Sequence, residues 1–268
     1  MCSMTRAPDD AGLLDRSIAT LLGYFELGNE VVVTPHARFV RNLACHRIYD
    51  ANHGTAVRAE TPLEIDDVLR RADELFSDID HRTFKVDPRT PSAFEGCLLL
   101  EGYTGSSELQ LLLEGELDTR PPDIDIRTVS SDADWEAVGH LTRLDHEEEA
   151  KKASREPVGP MVTAQMVATK RVKAPDLAFF LARVDGVDCA FFSSWPGANG
   201  VGKVEDLFTI PAFRRRGIAT ALIAHAVGDA RNRGAGPVLI GADPDDTPMH
   251  MYAAMGFRPF CVFRSYTG

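Results

Sequence analysis

A basic, glycine-containing segment between a strand pattern and a helix pattern does most to constrain how this chain folds. A β-rich run covers residues 204–211, three arginines follow at 214–216, and an apolar helical pattern begins near Gly217. A strand that passes into a helix through such a turn leaves the first helical N–H groups unpaired at the positive end of the helix dipole. Helix N-termini of this kind bind phosphate, so we expect an anion site here.

The residue types of this turn suit a diphosphate. Gly217 has no Cβ to keep a ligand away from the backbone, Ala219 is small, and the arginines supply charge and forked donors. The spacing Arg214-x-x-Gly217-x-Ala219 differs from the dinucleotide-binding GxGxxG. It also lacks the Gly-Lys-Ser/Thr ending of a nucleoside-triphosphate loop.

The spacing resembles the R/Q-x-x-G-x-G/A signature of the GNAT superfamily of acetyl-CoA-dependent N-acyltransferases. Residues 207–214 resemble the family's strand-four segment, with Thr209 in place of the usual Val, and residues 251–257 resemble the ending of its fourth helix. The three motifs stand in the family's order within the C-terminal half. The resemblance implies an α/β fold with a mixed sheet for that half, the GNAT acyl-CoA N-acyltransferase fold.

The chain is long enough for two domains. It has 268 residues, 44% of them hydrophobic, and two prolines with polar neighbours interrupt the pattern at residues 118–123. We expect a flexible N-terminus at residues 1–12, an N-terminal domain at 13–117, a linker at 118–123 and a catalytic domain at 124–268.

The C-terminal domain is predicted to follow the GNAT order of elements. Residues 124–129 alternate like a half-buried strand, Ser131 or Asp132 is placed to cap the next helix, and Asp185-Gly186 is a strong hairpin signal. The remaining predicted elements are a helix at 164–173, strands at 177–184 and 187–194, strand four at 204–210, a helix at 217–232, a strand at 238–242, a helix at 247–255 and a closing strand at 259–266.

The N-terminal domain has a similar but incomplete pattern. A helix is predicted after Thr61-Pro62, with Glu64 in its first turn. The other predicted elements are strands at 31–33, 39–43, 45–49 and 83–86, a helix at 94–100 and a closing strand at 109–113. This order resembles the second half of a GNAT domain, yet no R-x-x-G-x-G/A precedes its helix. We therefore expect two GNAT-like domains in tandem, the first degenerate and without cofactor; an unrelated α/β cap is the alternative.

The resemblance implies where acetyl-CoA would bind. In the family, strand four holds the pantetheine arm through main-chain hydrogen bonds, and the following turn holds the pyrophosphate through backbone amides. Backbone donors do most of this work, so the shape of the turn matters more than its side chains. The predicted cofactor-binding residues are Leu207, Phe208, Thr209, Arg214, Arg215, Arg216, Gly217, Ile218, Ala219 and Thr220.

Two residues are predicted to be catalytic. Tyr252 matches the tyrosine that in many GNAT enzymes lies near the CoA sulfur and protonates the leaving thiolate; the alternative is a core residue of the fourth helix. Glu205 is the best candidate for the base, because strand alternation puts it on the same face as Leu207 and Thr209. A bulge in the strand would shift this register and favour Asp206 instead. A solvated strand residue is the alternative for either acid.

Two acidic segments differ from functional patterns. Asp245 and Asp246 stand near the position where the family has a cofactor-contacting Asn; since a carboxylate would repel CoA, we expect them to cap the fourth helix. Residues 146–149, His-Glu-Glu-Glu, have no second ligand cluster at metal spacing. We expect them to be a charged helix end, and we expect no metal.

Charge and cysteine usage limit the partners. Acidic residues outnumber basic ones 40 to 29, which disfavours nucleic acid and anionic membranes and mildly favours an amine substrate, although acidity also serves solubility. Five dispersed cysteines indicate reduced thiols, and no apolar run is long enough for a membrane span. We expect a cytoplasmic monomer or homodimer.

The sequence thus predicts an N-acetyltransferase that moves an acetyl group directly from acetyl-CoA to a primary amine of a small acceptor. Two rivals remain at this stage. One is a GNAT-fold module that binds acyl-CoA without turnover, and the other is a GNAT-fold enzyme with altered acyl-CoA chemistry, such as decarboxylation or transfer to oxygen.

Overall fold

The computed structural model describes residues 9–244 and 248–268. Most of the segment predicted to be flexible, and the predicted caps Asp245 and Asp246, lie outside the described residues.

Within those described residues, eleven strands form one continuous sheet, with α-helices packed on both faces. The elements of the N-terminal half are α1 (Asp9–Glu26), β1 (Glu30–Val33), β2 (Arg38–Arg41), β3 (His53–Thr55), α2 (Pro62–Leu75), β4 (Thr83–Val86), α3 (Ser92–Leu100) and β5 (Thr104–Leu113). Those of the C-terminal half are β6 (Asp125–Thr128), α4 (Asp132–Lys152), α5 (Pro160–Lys173), β7 (Ala178–Val184), β8 (Val187–Trp195), β9 (Gly202–Thr209), α6 (Ile218–Asn232), β10 (Val238–Ala242), α7 (Pro248–Ala254) and β11 (Arg258–Thr267).

The two halves exchange their closing strands. The sheet order is β1-β2-β3-β4-β11-β5-β10-β9-β8-β7-β6, so β5 pairs with β10 of the C-terminal half and β11 pairs with β4 of the N-terminal half. β5 and β11 also pair with each other over nearly their whole length. The boundary predicted at residues 118–123 stays a prediction, but neither half closes its sheet with its own last strand.

The predicted mixed α/β architecture is confirmed in the C-terminal half. Ser131, rather than Asp132, caps α4 in a capping box with Asp134. Asp185 and Gly186 both have positive φ, 53° and 78°, which is the geometry of a type I′ hairpin turn. β10 has the predicted bounds, and β9 and α6 agree with the prediction to within about two residues.

One strand predicted for the N-terminal half is wrong. The strand predicted at residues 45–49 is replaced by short 3₁₀ turns at Leu43–Cys45 and Tyr49–Ala51. Cys45, Ile48 and Ala51 are buried at a spacing of three, and the side-chain amide of Asn52 donates to the carbonyls of Cys45 and Ile48, which a strand ladder would otherwise satisfy.

The first helix, α1, was not predicted from the sequence. This helix starts at Asp9, so residues 9–12, expected to be flexible, are helical. Its apolar residues at helical spacing pack against the middle of the sheet, where they cover β10 and the crossing strands β5 and β11. Among residues 9–244 and 248–268, none of the helices combines the length and hydrophobicity of a bilayer span.

Candidate functional site

A cleft opens where β9 and β10 separate. The two parallel strands pair only at their beginnings, from Gly202 opposite Val238 to Val204 opposite Ile240. Beyond this point β10 continues to pair with β5 alone. The separation leaves one edge of β9 without a neighbouring strand and creates a cavity of about 310 Å³.

A bulge in β9 determines which side chains face the cavity. Asp206 has a φ of 70°, and the pairing of β9 with β8 shifts register beside it. Leu207 consequently packs with Val204 on the α6 side of the sheet, whereas Phe208 packs on the α4 side. The simple alternation that put Glu205 and Leu207 on one face is therefore wrong. Because the chain turns at the bulge, Glu205, Asp206 and Leu207 all line the cavity.

The cavity brings together three residues predicted from sequence. Tyr252 is buried on α7 and lines the cavity together with Glu205 and Leu207. Phe208 and Thr209 belong to the same strand and are buried, and neither lines the cavity.

The other predicted cofactor residues form the turn between β9 and α6. Gly217 is the N-cap of α6 with a φ of 78°, and no side chain of the described residues caps this helix. Arg215 also has a positive φ, 63°. No side chain of the described residues therefore accepts hydrogen bonds from the N-cap end of α6, and the anion site there stays a prediction.

The three arginines of the turn have different surroundings. Arg214 donates through Nε to the carbonyl of Thr209 at 2.9 Å and forms a bidentate pair with Glu148, with distances of 2.7 and 2.6 Å. Arg216 pairs with Asp185 at 2.9 Å. Arg215 is exposed and makes no ion pair with another described residue. Arg214 therefore holds the shape of the turn, while Arg215 is the arginine best placed to reach an anion.

The predicted linker packs directly on the turn. A Cβ added to Gly217 would lie 2.7 Å from Cγ of Pro122. Gly217 is therefore required both by its positive φ and by this close approach.

A network of buried charges surrounds Glu205. Its carboxylate pairs with Nζ of Lys203, a side chain that is 1% exposed. Burial lowers the pKa of Lys203, but the nearby carboxylates of Glu205 and Glu108 outweigh it and the net pKa is raised. Glu108 comes from β5, the exchanged strand of the N-terminal half. Burial and the charge of Glu205 raise the pKa of Glu108.

The neighbouring acid Asp206 is held from two sides. Lys170 of α5 pairs with one carboxylate oxygen, and the hydroxyl of Tyr24 of α1 donates to the other at 3.3 Å. Asp206 is therefore tied to both halves of the molecule.

Asp145 of α4 also lines the cavity, and its pKa is raised to about 6 by burial and by the charges of Glu149 and Glu148, despite the opposing effect of Lys170. The next residue, His146, contacts the hydroxyl of Thr163 at 2.9 Å through Nδ1, and burial lowers the pKa of His146.

In the described part of the chain, no group of three or more His, Cys, Asp and Glu side chains is arranged to hold a metal ion.

Sequence reasoning missed Glu108, Asp145, Lys170 and Lys203. Lys203 carried a usable signal, since it stands two residues before Glu205 and only one residue before the predicted start of that strand, and alternation places both side chains on one face. Glu108 carried none, because only the exchange of closing strands brings it to the cavity.

Comparison with known families decides the nature of this half of the chain. Residues 135–257 match the model of the acetyltransferase (GNAT) family. Residues 135–257 are a GNAT acetyltransferase domain. This GNAT domain contains the cavity, the bulged strand and the uncapped turn, and it is extended by β5 from outside the matched range.

Solved structures are similar over nearly the whole chain. A GCN5-related N-acetyltransferase from Kribbella flavida superposes with a TM-score of 0.68 at 19% identity, covering 95% of both chains. A conserved protein of unknown function from Staphylococcus epidermidis gives 0.67 at 14% identity, covering 90% of this chain and 94% of that one. A tandem GNAT protein from the clavulanic acid biosynthesis pathway gives 0.57 at 14% identity, covering 95% of each. These similarities establish the tandem GNAT fold. A comparison with curated protein sequences gives no match.

Proposed function

We propose that the protein is an acetyl-CoA-dependent N-acetyltransferase that transfers the acetyl group directly to a primary amine of a small acceptor. One observation carries this proposal. The free edge of β9 leads from an uncapped helix N-terminus at Gly217 to a cavity that holds Tyr252 and Glu205. An extended thioester with an anionic end would fit this path.

The cofactor would lie along β9. Its diphosphate would accept hydrogen bonds from the amides of residues 215–220, and Arg215 would add charge. The pantetheine amides would pair with the main chain of residues 207–209, where β9 lacks a neighbour on the side of β10. The thioester would then reach the separated ends of β9 and β10.

Glu205 would take the proton that the acceptor's ammonium must lose, directly or through a water molecule. The freed amine then attacks the thioester carbonyl, a C–N bond forms, and the C–S bond breaks. The pairing of Glu205 with Lys203 fixes the position of this carboxylate.

Tyr252 would donate its phenolic proton to the departing thiolate. A phenol with an ordinary pKa of ~10 is a suitable donor to a thiolate whose conjugate acid has a pKa of ~8.5, because the hydrogen bond stabilises the developing charge. The phenol recovers its proton from solvent after the products leave.

The test combines a binding and a turnover measurement on the full chain. Calorimetry with CoA should show binding by the wild type and by Tyr252→Phe alike, whereas kcat of the variant should fall ~10- to 100-fold in an assay of free thiol and acetylated amine. Tyr103→Phe, a tyrosine of the N-terminal half that lines neither the cavity nor the turn, is the matched control and should retain full kcat.

Different failures identify different rivals. CoA binding without thiol release from any amine would indicate a binding module, and thiol release without an acetylated amine would indicate altered chemistry. No CoA binding at all would refute the proposal.

A further inference from the structure

A second cavity adjoins the first on the side of the N-terminal half. It has a volume of about 370 Å³, and α1, α5, β5 and β9 all contribute to its walls. The two cavities share the lining residues Glu108, Met166, Lys170, Glu205, Asp206 and Asp243. If acetyl-CoA binds along β9 as proposed above, this second cavity is the space that remains for the acceptor.

Most charged side chains around this space neutralise one another. Lys85 pairs with Asp50 at 2.7 Å, and Lys170 and Lys203 pair with Asp206 and Glu205. Such internally matched pairs leave little net charge for a ligand to balance.

Lys173 of α5 is the exception. The residue is 6% exposed and its side chain lines the second cavity, yet its ammonium forms neither an ion pair within 4.0 Å nor a hydrogen bond with any residue of 9–244 or 248–268. Its ammonium lies 4.0 Å from the ring centre of Tyr24 and 5.7 Å from that of Phe25. Burial lowers the pKa of Lys173 to about 8, against the pull of Asp50 and Asp206. A buried ammonium without a counter-ion is costly, and a ligand anion would remove that cost.

Glu108 of β5 is the opposite exception in the lining of this space. It is half-buried, lines both cavities and forms no ion pair within 4.0 Å among the described residues. Its carboxylate lies directly against Gly241 of β10, close to where β9 and β10 separate. The site thus presents an unpaired ammonium on α5 and, on β5, an unpaired carboxyl group close to the separated strands.

We propose that the acceptor is an amino carboxylate, whose carboxylate binds the ammonium of Lys173 and whose amine faces Glu108 and Glu205. This inference rests on the proposed function and specifies its substrate class. A diamine is disfavoured because its second ammonium would meet Lys173, and a simple alkylamine would leave Lys173 without a counter-ion.

A matched amine panel tests the inference. It contains ω-amino carboxylates, each with the n-alkylamine and the α,ω-diamine of the same chain length, and α-amino acids with their carboxamides. We expect the amino carboxylates to exceed their neutral partners by ~10- to 100-fold in kcat/KM, the range of one charge-assisted hydrogen bond.

Variants of Lys173 separate recognition from folding. Lys173→Met should raise KM for amino carboxylates by ~10- to 100-fold relative to KM for neutral amines, and Lys173→Arg should restore much of the preference. Arg171→Met is the control on the same helix. Arg171 is exposed, pairs with Asp132 and lines neither cavity, so its loss should leave the preference intact.

Calorimetry with amino carboxylates in the presence of CoA distinguishes the possible failures. Lys173-dependent binding without transfer would support the inference and refute the proposed acetyl transfer. Transfer with neutral amines or diamines preferred, or a preference that survives in Lys173→Met, would overturn the inference and leave the transferase intact. Absence of amino carboxylate binding to the wild type would also overturn it.

Discussion

The two halves of this chain each join a strand to a helix that leads to a parallel strand, yet their turns end in opposite ways. In the N-terminal half, Thr61 caps α2 and Glu64 reaches back to accept hydrogen bonds from the amides of Glu60 and Thr61 at 2.8 and 2.9 Å. In the C-terminal half, Gly217 leaves α6 without a side-chain cap among the described residues, and arginines precede it. The first turn carries its own anion, while the second is free to receive one.

The strands that flank these turns differ in the same sense. β9 and β10 separate around a cavity, whereas the ring of Phe84 on β4 lies against Gly54 on β3 and fills the equivalent space. Phe39 and Phe94 complete this packing. The unit formed by β3, α2 and β4 thus has the connections of a cofactor-binding unit, but its helix end is capped and Phe84 fills the space between its strands, which gives a physical reason for expecting it to bind no cofactor.

The largest effect is expected from removing the side chain that fills the space between β3 and β4. Phe84→Ala removes a fully buried ring from between β3 and β4 and should lower the free energy of unfolding by about 3–5 kcal/mol, measured by urea denaturation. It should not create a second CoA site, because Glu64 still occupies the helix end. Leu207→Ala, at the half-buried edge of the open cleft, is the control and should cost only about 1 kcal/mol. Equal costs would mean that the two halves are packed alike.

Most elements of the C-terminal half could be predicted from the sequence, because their turns and caps are determined by neighbouring residues. The turn at Asp185-Gly186 and the cap at Ser131 depend only on neighbouring residues. The short strand β3, with the sequence His-Gly-Thr, has too few residues for any alternation to be recognised. The exchange of β5 and β11 depends on partners far away in the chain. For that reason Glu108 could not be assigned to the site from the sequence. The bulge in β9 was expected, but the sequence did not show at which residue it occurs.

The second prediction converts the open turn into a closed one. Thr220 holds the position in α6 that Glu64 holds in α2, the third residue after the cap. Thr220→Glu should place a carboxylate where we propose that the diphosphate binds, and it should weaken CoA binding ~100-fold, measured by calorimetry, with thermal stability retained. Thr220→Gln, with the same shape and no charge, should lose far less affinity. Equal losses would show that shape rather than charge decides the result.

The third prediction concerns the ionisable residues buried in β3 and β9. Lys203 on β9 stays charged beside Glu205, whereas burial, together with the charge of Lys85, lowers the pKa of His53 on β3 to about 3. The folded state therefore keeps His53 neutral, while the unfolded chain binds a proton below its ordinary pKa of ~6.5. The contribution of His53 to the free energy of unfolding is therefore complete above the pKa of the unfolded chain and decreases as the pH falls towards 3.

His53 should contribute a loss of about 2 kcal/mol in the free energy of unfolding between pH 7 and pH 5. His53→Gln retains a donor for the carbonyl of Tyr49, which Nδ1 contacts at 3.2 Å, and cannot titrate. Urea denaturation at both pH values should show a smaller decline for this variant than for the wild type. Parallel declines would assign the acid sensitivity to other groups.

The smallest effect is expected from opening the closed turn. Thr61→Ala removes the hydroxyl that accepts from the amide of Glu64 and should cost about 1 kcal/mol of stability, measured by urea denaturation. CoA stoichiometry should remain at one per chain, because Glu64 continues to cover the neighbouring amides and Phe84 continues to fill the space beside them. A second equivalent of CoA bound by this variant would show that the cap alone prevents the N-terminal half from binding CoA. If the double variant Thr61→Ala and Glu64→Ala also bound one CoA per chain, the packing between β3 and β4 would instead be the reason that the N-terminal half does not bind CoA.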